Sequence, residues 1–279
     1  MNYEQLRSFV AFAAHRNFTH AAKELHISQP ALHVQIKKLA DAVGRPLYRR
    51  EGRALVLTPE GERLAAYGRE ISERSTAVLA ELRGEQVTGP VVLAAGQGAF
   101  LYLLGPALRR FPKQRWPLRL VSMTGPETIE AVHAARAHVG VIATTDPPID
   151  LIALRIRDVH QRVVVPASHR LAKRRSVKPR ELAGEPIIVA PAGSPHRQML
   201  AQVLAGVDWS VAVEATGWEL MLAFARVGMG IAIVNDFCEP PRGMVGIALE
   251  GAPPIAYHAV HRAGALSPAA RVLLDLVVA

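Results

Sequence analysis

Gln29, His33 and Lys37 recur every fourth residue in the stretch FTHAAKELHISQPALHVQIKKL, residues 18–39, with Pro30 beside the first. Glutamine can pair bidentately with adenine in a major groove, and lysine pairs with phosphate. The same stretch holds His20, His26 and His33, which raises the alternative of a metal site. Helical metal ligands stand about four apart or join a cysteine. Intervals of six and seven do not converge, so no metal is expected, and His20 and His26 read as helix-surface residues. Elsewhere, Gly96-Gln97-Gly98 lacks the rest of a phosphate loop, and no serine nucleophile stands between glycines. Cys238, with His258 and His261 downstream, reads as an inert buried thiol. No catalytic residue and no cofactor emerge, so the chain is not read as an enzyme.

Elements must position the candidate reader. Ala21, Ala22, Leu25, Ile27, Ala31, Leu32, Ile36 and Leu39 form one apolar stripe on each of two short helices. Thr19 is the expected cap of the first helix and Ser28 of the second. Gln29, Pro30, His33 and Lys37 fall off the stripe. This is the geometry of a helix-turn-helix with the second helix as reader. A plain helical hairpin has the same spacing, so the stretch alone leaves both readings open. Between Lys37 and Arg53 stand six basic residues against Asp41 and Glu51. The run PLYRREGRALVLTPEG reads as strand, turn and strand, with the turn at Glu51-Gly52. Its Arg50 and Arg53 can reach phosphate or a narrow minor groove.

The wider chain agrees. Its 279 residues are half hydrophobic and carry a net charge of +9, which favours polyanionic partners. One cysteine excludes a disulfide framework. No secretory signal or uninterrupted apolar span is legible, so a cytoplasmic protein with no membrane contact is expected. Thr58-Pro59 starts a helix that runs to about Arg83. Leu64, Ile71 and Val78, with Gly68, Ser75 and Leu82 between them, form a weak heptad seam suited to self-association. Thr88-Gly89-Pro90 ends it. Strands then alternate with helices in two sets, from VVLAA (91–95) to GIAIVN. The fold class is α/β: an all-α winged region, a long helix, then two lobes of parallel sheet covered by helices. The expected domains are residues 1–58, 59–88 and 89–279. Lobe I takes about 89–158 and 239–279, and lobe II about 159–238.

AAKELHISQPALHVQIKKLADAVGRPLYRREGRALVLTPEGERL resembles the N-terminal signature of the LysR-type transcriptional regulators. The matching positions are Ala21, Ala22, Leu25, Ser28, Gln29, Pro30, Ala31, Gln35, Ile36, Leu39, Gly44, Leu47, Arg49, Arg53, Leu57, Thr58 and Gly61. His33 stands where serine is usual, Ala40-Asp41 where Leu-Glu is usual, and Tyr48 where phenylalanine is usual. The resemblance spans essentially the whole chain, with FARVGMGIAIVN (224–235) matching a further family motif. It implies a winged helix-turn-helix, a dimerising linker helix and an effector domain similar to the periplasmic binding proteins. It further implies a homodimer or homotetramer on a promoter operator of double-stranded DNA, a small-molecule effector, and RNA polymerase as a candidate partner. Gln29, Pro30 and His33 would then approach base edges. Ser28, Lys37, Lys38, Arg50 and Arg53 would meet phosphate or the minor groove. By the same resemblance the effector lies between the lobes, near Gln97, Gly98, Ala99, Thr124, Thr128, His196, Arg197, Thr216 and Trp218. Gly98 stands where many members carry a hydroxyl. Backbone amides at a helix start, with Thr128, His196 and Arg197, would suit a small organic anion. A solute-binding protein or enzyme built on the two lobes is the competing class, and the first 88 residues argue against it.

Overall fold

The structure, a computed structural model, describes residues 2–83, 89–113, 115–264 and 266–279. Helix α1 (Tyr3–His15) is closed at its start by a reciprocal cap between Asn2 and Gln5. Helix α2 (Phe18–Glu24) is capped by Asn17 and not by Thr19. The Asn17 carboxamide oxygen reaches the amides of both Thr19 and His20, which puts Thr19 inside the helix. His26 does not lie on a helix surface either. It has φ 54° and forms the left-handed residue of the turn. Helix α3 (Gln29–Val43) starts at Ser28, whose hydroxyl accepts from Ala31 N at 3.3 Å, and ends at Gly44 with φ 72°. Phe9, Phe12, Phe18, Leu32, Ile36, Leu39 and Leu47 fill the space between these helices.

Strands β1 (Tyr48–Glu51) and β2 (Ala54–Leu57) pair antiparallel, with Glu51 opposite Ala54. The turn is therefore Gly52-Arg53, one residue later than expected, because Gly52 supplies the positive φ such a tight turn requires. Tyr48 packs edge-on against Phe12 and Phe18 and fastens this wing to the helices.

Helix α4 (Pro59–Leu82) is the long connector. Thr58 caps it by accepting from Gly61 N at 3.0 Å, and its own hydroxyl donates to Pro46 O at 2.7 Å. A Cβ on Gly61 would stand 1.9 Å from the Leu47 carbonyl oxygen, so only glycine lets α4 approach the wing here. One on Gly68 would stand 2.4 Å from Val10 Cγ2, so α1 lies directly on this turn. The expected seam divides accordingly. Gly68 is buried beneath α1, while Val78 and Leu82 are 53% and 78% exposed. Residues 84–88 of the expected linker, including Thr88, lie outside the described residues.

The remaining chain builds two sheets. In order come β3 (Val91–Ala95), a π-helical turn (Ala99–Leu103), α5 (Gly105–Arg110), β4 (Leu118–Ser122), α6 (Gly125–His133), β5 (Val139–Ala143) and β6 (Leu151–Val159). Then follow β7 (Gln161–Pro166), β8 (Ser176–Val177), β9 (Pro186–Val189), α7 (Pro195–Val203), β10 (Ser210–Glu214), α8 (Trp218–Arg226), β11 (Ile231–Asn235) and β12 (Met244–Leu249). The chain closes with β13 (Ile255–Arg262) and α9 (Pro268–Val278). The first sheet has the order β4-β3-β5-β13-β6 and the second β10-β9-β11-β7-β12-β8.

Neither sheet is purely parallel. β13 runs antiparallel to β5 and β6, and β7 antiparallel to β11 and β12, because the chain enters and leaves each sheet through crossovers. The crossovers are His160 and the segment between Leu249 and Ile255. The expected return to lobe I at residue 239 is therefore too early. β12 pairs with β7 and β8, which keeps the second lobe's strands running to Leu249. β6, β8 and β12 escaped the sequence reading.

Candidate nucleic-acid interface and effector cleft

On α3, Gln29, Pro30, His33, Lys37 and Lys38 are all exposed. Their roles separate once contacts are considered. The Gln29 carboxamide oxygen accepts from Thr19 Oγ1 at 3.2 Å, which fixes the amide and leaves its NH2 to point outward. Ser28 uses its hydroxyl on the α3 amide, so its phosphate contact would need that cap to be shared. His33 lies flat on Phe18, with ring centroids 3.6 Å apart and planes 15° apart. It presents an edge to solvent while its face is held by a buried ring, so it buttresses Phe18. Val34, 52% exposed on the same face, was not foreseen. An exposed valine on a reading helix can meet a thymine methyl. Its position outside the apolar stripe was the available signal.

The wing completes this surface. Arg50 and Arg53 are exposed, whereas Arg49 is held by Glu51 at 2.6 Å. Between the α2 start and β2 lies an open cavity of about 450 Å³ lined by Arg16, Asn17, Thr19, Gln29 and Arg53, among others. It brings the expected residues Gln29 and Arg53 into one concave face. Arg16, Asn17 and Thr19 join them unforeseen. Lys37, Lys38 and Arg50 do not line it.

The second predicted constellation spans the two lobes. Gln97 and Gly98 lead into the π-helical turn of lobe I, and Thr216 and Trp218 lead into α8 of lobe II. Trp218 sits on Gly98: a Cβ there would stand 2.4 Å from Trp218 Cδ1 and 2.7 Å from Nε1. The Gln97 carboxamide oxygen is likewise 3.5 Å from the place of a Cβ on Gly217. The indole thus fills the position where a hydroxyl side chain would have stood. His196, at the start of α7, packs edge-on to Trp218 with centroids 4.8 Å apart. It is 6% exposed, and neither ring nitrogen has a hydrogen-bond partner of good geometry. Burial lowers its pKa to about 4, against a smaller opposing pull from the nearby Ile233 backbone. It is a neutral imidazole at ordinary pH.

The other expected effector residues are dispersed. Ala99 is buried. Thr124 donates its backbone N–H and its hydroxyl to Glu127 Oε2, each at 2.8 Å, in the α6 cap, and those bonds hold the Glu127 carboxyl below its usual range. Thr128 is fully buried beneath α6, its hydroxyl without a partner. Arg197 places its guanidinium over Trp209, 5.3 Å from the ring centroid. Trp209 precedes β10, at the opposite end of that strand from Thr216. Among the cleft residues not foreseen, Glu219 buries both carboxylate oxygens at the first turn of α8. Tyr102 faces it, and burial followed by that carboxylate raises the phenol to about 12. Cys238 is buried, and burial pushes its thiol upward, away from reactivity.

A buried amide chain joins the lobes behind the cleft. Gln161 Nε2 donates to Asn235 Oδ1 at 3.1 Å, and Asn235 Nδ2 donates to Tyr257 Oη at 3.0 Å. Gln161 starts β7 beside the His160 crossover, Asn235 ends β11, and Tyr257 lies two residues into β13, so the network links the two sheets near that crossover.

The connector helix is also tied to lobe I. Arg69 Nε donates to Ala134 O, and Arg262 Nη1 donates to Val132 O at 2.6 Å. Both guanidiniums are partly buried against the C-terminal end of α6, where Val132 O also accepts from Ala135 N at 3.1 Å. Burial lowers both pKa values.

A bacterial regulatory helix-turn-helix of the lysR family matches residues 3–62, and the LysR substrate binding domain matches residues 84–279. This chain belongs to the LysR family. Its relatives include the RuBisCO operon transcriptional regulator of Allochromatium vinosum, 27% identical over 100% of this chain and 96% of that protein. The DNA-binding transcriptional dual regulator OxyR of Escherichia coli is 28% identical over 86% of this chain and 81% of its own. Among solved structures, a full-length OxyR of Pseudomonas aeruginosa has a TM-score of 0.79 at 21% identity, over 99% of this chain and 94% of that one. Full-length CbnR bound to its target DNA has a TM-score of 0.61 at 22% identity, covering 99% of both chains. The protein is a LysR-type DNA-binding transcriptional regulator with an effector-binding domain. Among the described residues, no helix is long and apolar enough to cross a membrane.

Proposed function

We propose that this LysR regulator reads its operator with Gln29, Pro30, Val34 and the exposed edge of His33. Lys37, Lys38, Arg50, Arg53 and Arg16 then hold phosphates or the minor groove around that contact. The carrying observation is the Thr19–Gln29 bond, which orients the one side chain on α3 best suited to a base edge. In this reading the protein works without catalysis, in the cytoplasm, as a homodimer or homotetramer that can engage RNA polymerase.

Its small organic effector lies between the lobes, against Trp218, His196 and Gln97. An anionic effector requires Arg197 to leave Trp209 or the α7 amides to act alone, so the indole face is the more prominent feature of the cleft. The test is to sequence the duplexes that the purified protein retains from a random pool. One enriched motif is expected for the wild type, and a degraded motif for Gln29→Ala. Retention of the pool without enrichment would overturn the reading.

A further inference from the structure

Residues 89–279 carry a net charge of +6 against +3 for residues 1–88, and that excess has one source. Residues 168–180, SHRLAKRRSVKPR, contain Arg170, Lys173, Arg174, Arg175, Lys178 and Arg180 and no acid. The rest of residues 89–279 holds fourteen basic and fourteen acidic residues, so this segment carries the whole net charge of +6 of that part of the chain. All six side chains are exposed. The segment leaves β7, passes through the edge strand β8 and projects from the rim of the second sheet.

Nearby acids offset little of this charge. Glu185 holds Arg170 at 2.7 Å, and Glu181 lies 3.6 Å from Arg174. The same Glu181 is shared, at longer range, with Lys178 and Arg180. Lys173 and Arg175 have no carboxylate within ion-pair distance among the described residues. The apolar residues of the loop face inward: Leu171 is 2% exposed, and Val177 and Leu182 are fully buried. Protein–protein interfaces usually need a desolvated apolar centre, often aromatic. This surface offers none. Long cationic side chains on an open rim instead fit a regular row of phosphates, which need charge and no shaped pocket.

We infer that Lys173, Arg175, Lys178 and Arg180 form a second, sequence-independent contact with the DNA backbone, made by the effector domain on duplex flanking the site held by the winged helix. Each phosphate neutralised contributes to the salt dependence of binding by roughly 0.9 in log–log slope. The contact adds affinity on long DNA without altering which sequence is chosen.

The test compares the full-length protein with a variant carrying Lys173→Gln, Arg175→Gln, Lys178→Gln and Arg180→Gln. All four positions are exposed, so the fold should survive, as a thermal melt would verify. Binding to random-sequence duplexes is titrated against salt on a short duplex of about 20 base pairs, close to two major-groove half-sites, and on a duplex several times longer. On the long duplex, the slope for the variant should be shallower by about 2–4, with affinity near 0.1 M salt reduced at least roughly tenfold. On the short duplex the two proteins should match. Coincident slopes on both lengths would overturn the contact and leave the patch to an acidic protein or to solubility. Equal losses on both lengths would also overturn it, since they indicate long-range steering alone. A wild type that holds neither duplex would instead defeat the DNA reading on which the proposal stands.

Discussion

The indole of Trp218 lies on the backbone of Gly98, 120 residues earlier in the chain and in the opposite lobe. The contact has two consequences. It leaves no room for a side chain at residue 98, and it joins the two lobes across the cleft. In Gly98→Ser the new Cβ must expel the indole or part the lobes, at a cost of about 1–3 kcal/mol typical of overpacking. Trp218→Ala in the same chain should recover part of that loss. Denaturant midpoints of the two single variants and the double variant measure the coupling. Strict additivity would mean that the two residues do not touch.

The buried imidazole of His196 makes stability depend on acid. Its folded pKa is depressed to about 4, so the unfolded chain takes up the proton first. The stabilising difference is complete above the ordinary value near 6.5 and is lost as pH falls toward 4. The wild type should therefore lose about 2–3 kcal/mol more than His196→Leu between pH 7.5 and pH 4.5. Urea titrations at the two pH values check this. Parallel losses in both proteins would remove His196 as the cause.

Gln29 and His33 are one helical turn apart and should fail differently. Gln29→Ala should reduce discrimination between enriched and random duplex by about 1–3 kcal/mol. His33→Ala should instead lower stability by about 1 kcal/mol, through loss of the Phe18 stack. Competition binding and thermal melts, run on both variants, separate the effects. The reverse pattern would make His33 the principal reader and Gln29 the structural residue.

Arg69 should control the end of α6. Arg69→Met removes a charged donor from the Ala134 carbonyl, a loss of about 1.5–3 kcal/mol. Amide exchange in residues 132–137 should quicken by at least roughly tenfold, the factor that corresponds to about 1.4 kcal/mol. Arg69→Lys should show a smaller effect. Unchanged exchange in the methionine variant would mean that solvent satisfies that carbonyl equally well.

What could be read from the sequence was local or periodic. Ser28 is found as a cap because its partner, Ala31, is three residues away. The stripe from Ala21 to Leu39 becomes a core because helical spacing alone determines it. Asn17 was overlooked in favour of Thr19 because both residues suit a helix start, and only the backbone tells which precedes it. The Phe18–His33 stack, the Gly61–Leu47 approach and the Trp218–Gly98 contact depend on tertiary packing that spacing does not encode. β12 was missed because Gly246 interrupts a short apolar run. The site divides in the same way. The helix proposed to read DNA is continuous in sequence, while the candidate cleft draws on four separate segments that only the family resemblance brings together.

Gly68 and Arg69 are neighbours on α4, yet they are gripped by different bodies: Gly68 by α1 of the reader, Arg69 by α6 of lobe I. Adjacent residues on a helix are turned about 100° apart and rise only about 1.5 Å. The two grips therefore act on almost the same cross-section, as a torque and its reaction. If α6 rolls α4 by about 10°, atoms some 5 Å from its axis sweep about 1 Å, and α1 is carried along with them. A displacement of that size is large against the tolerance of a hydrogen bond to a base. One turn of α4 thus holds both α1 and the end of α6.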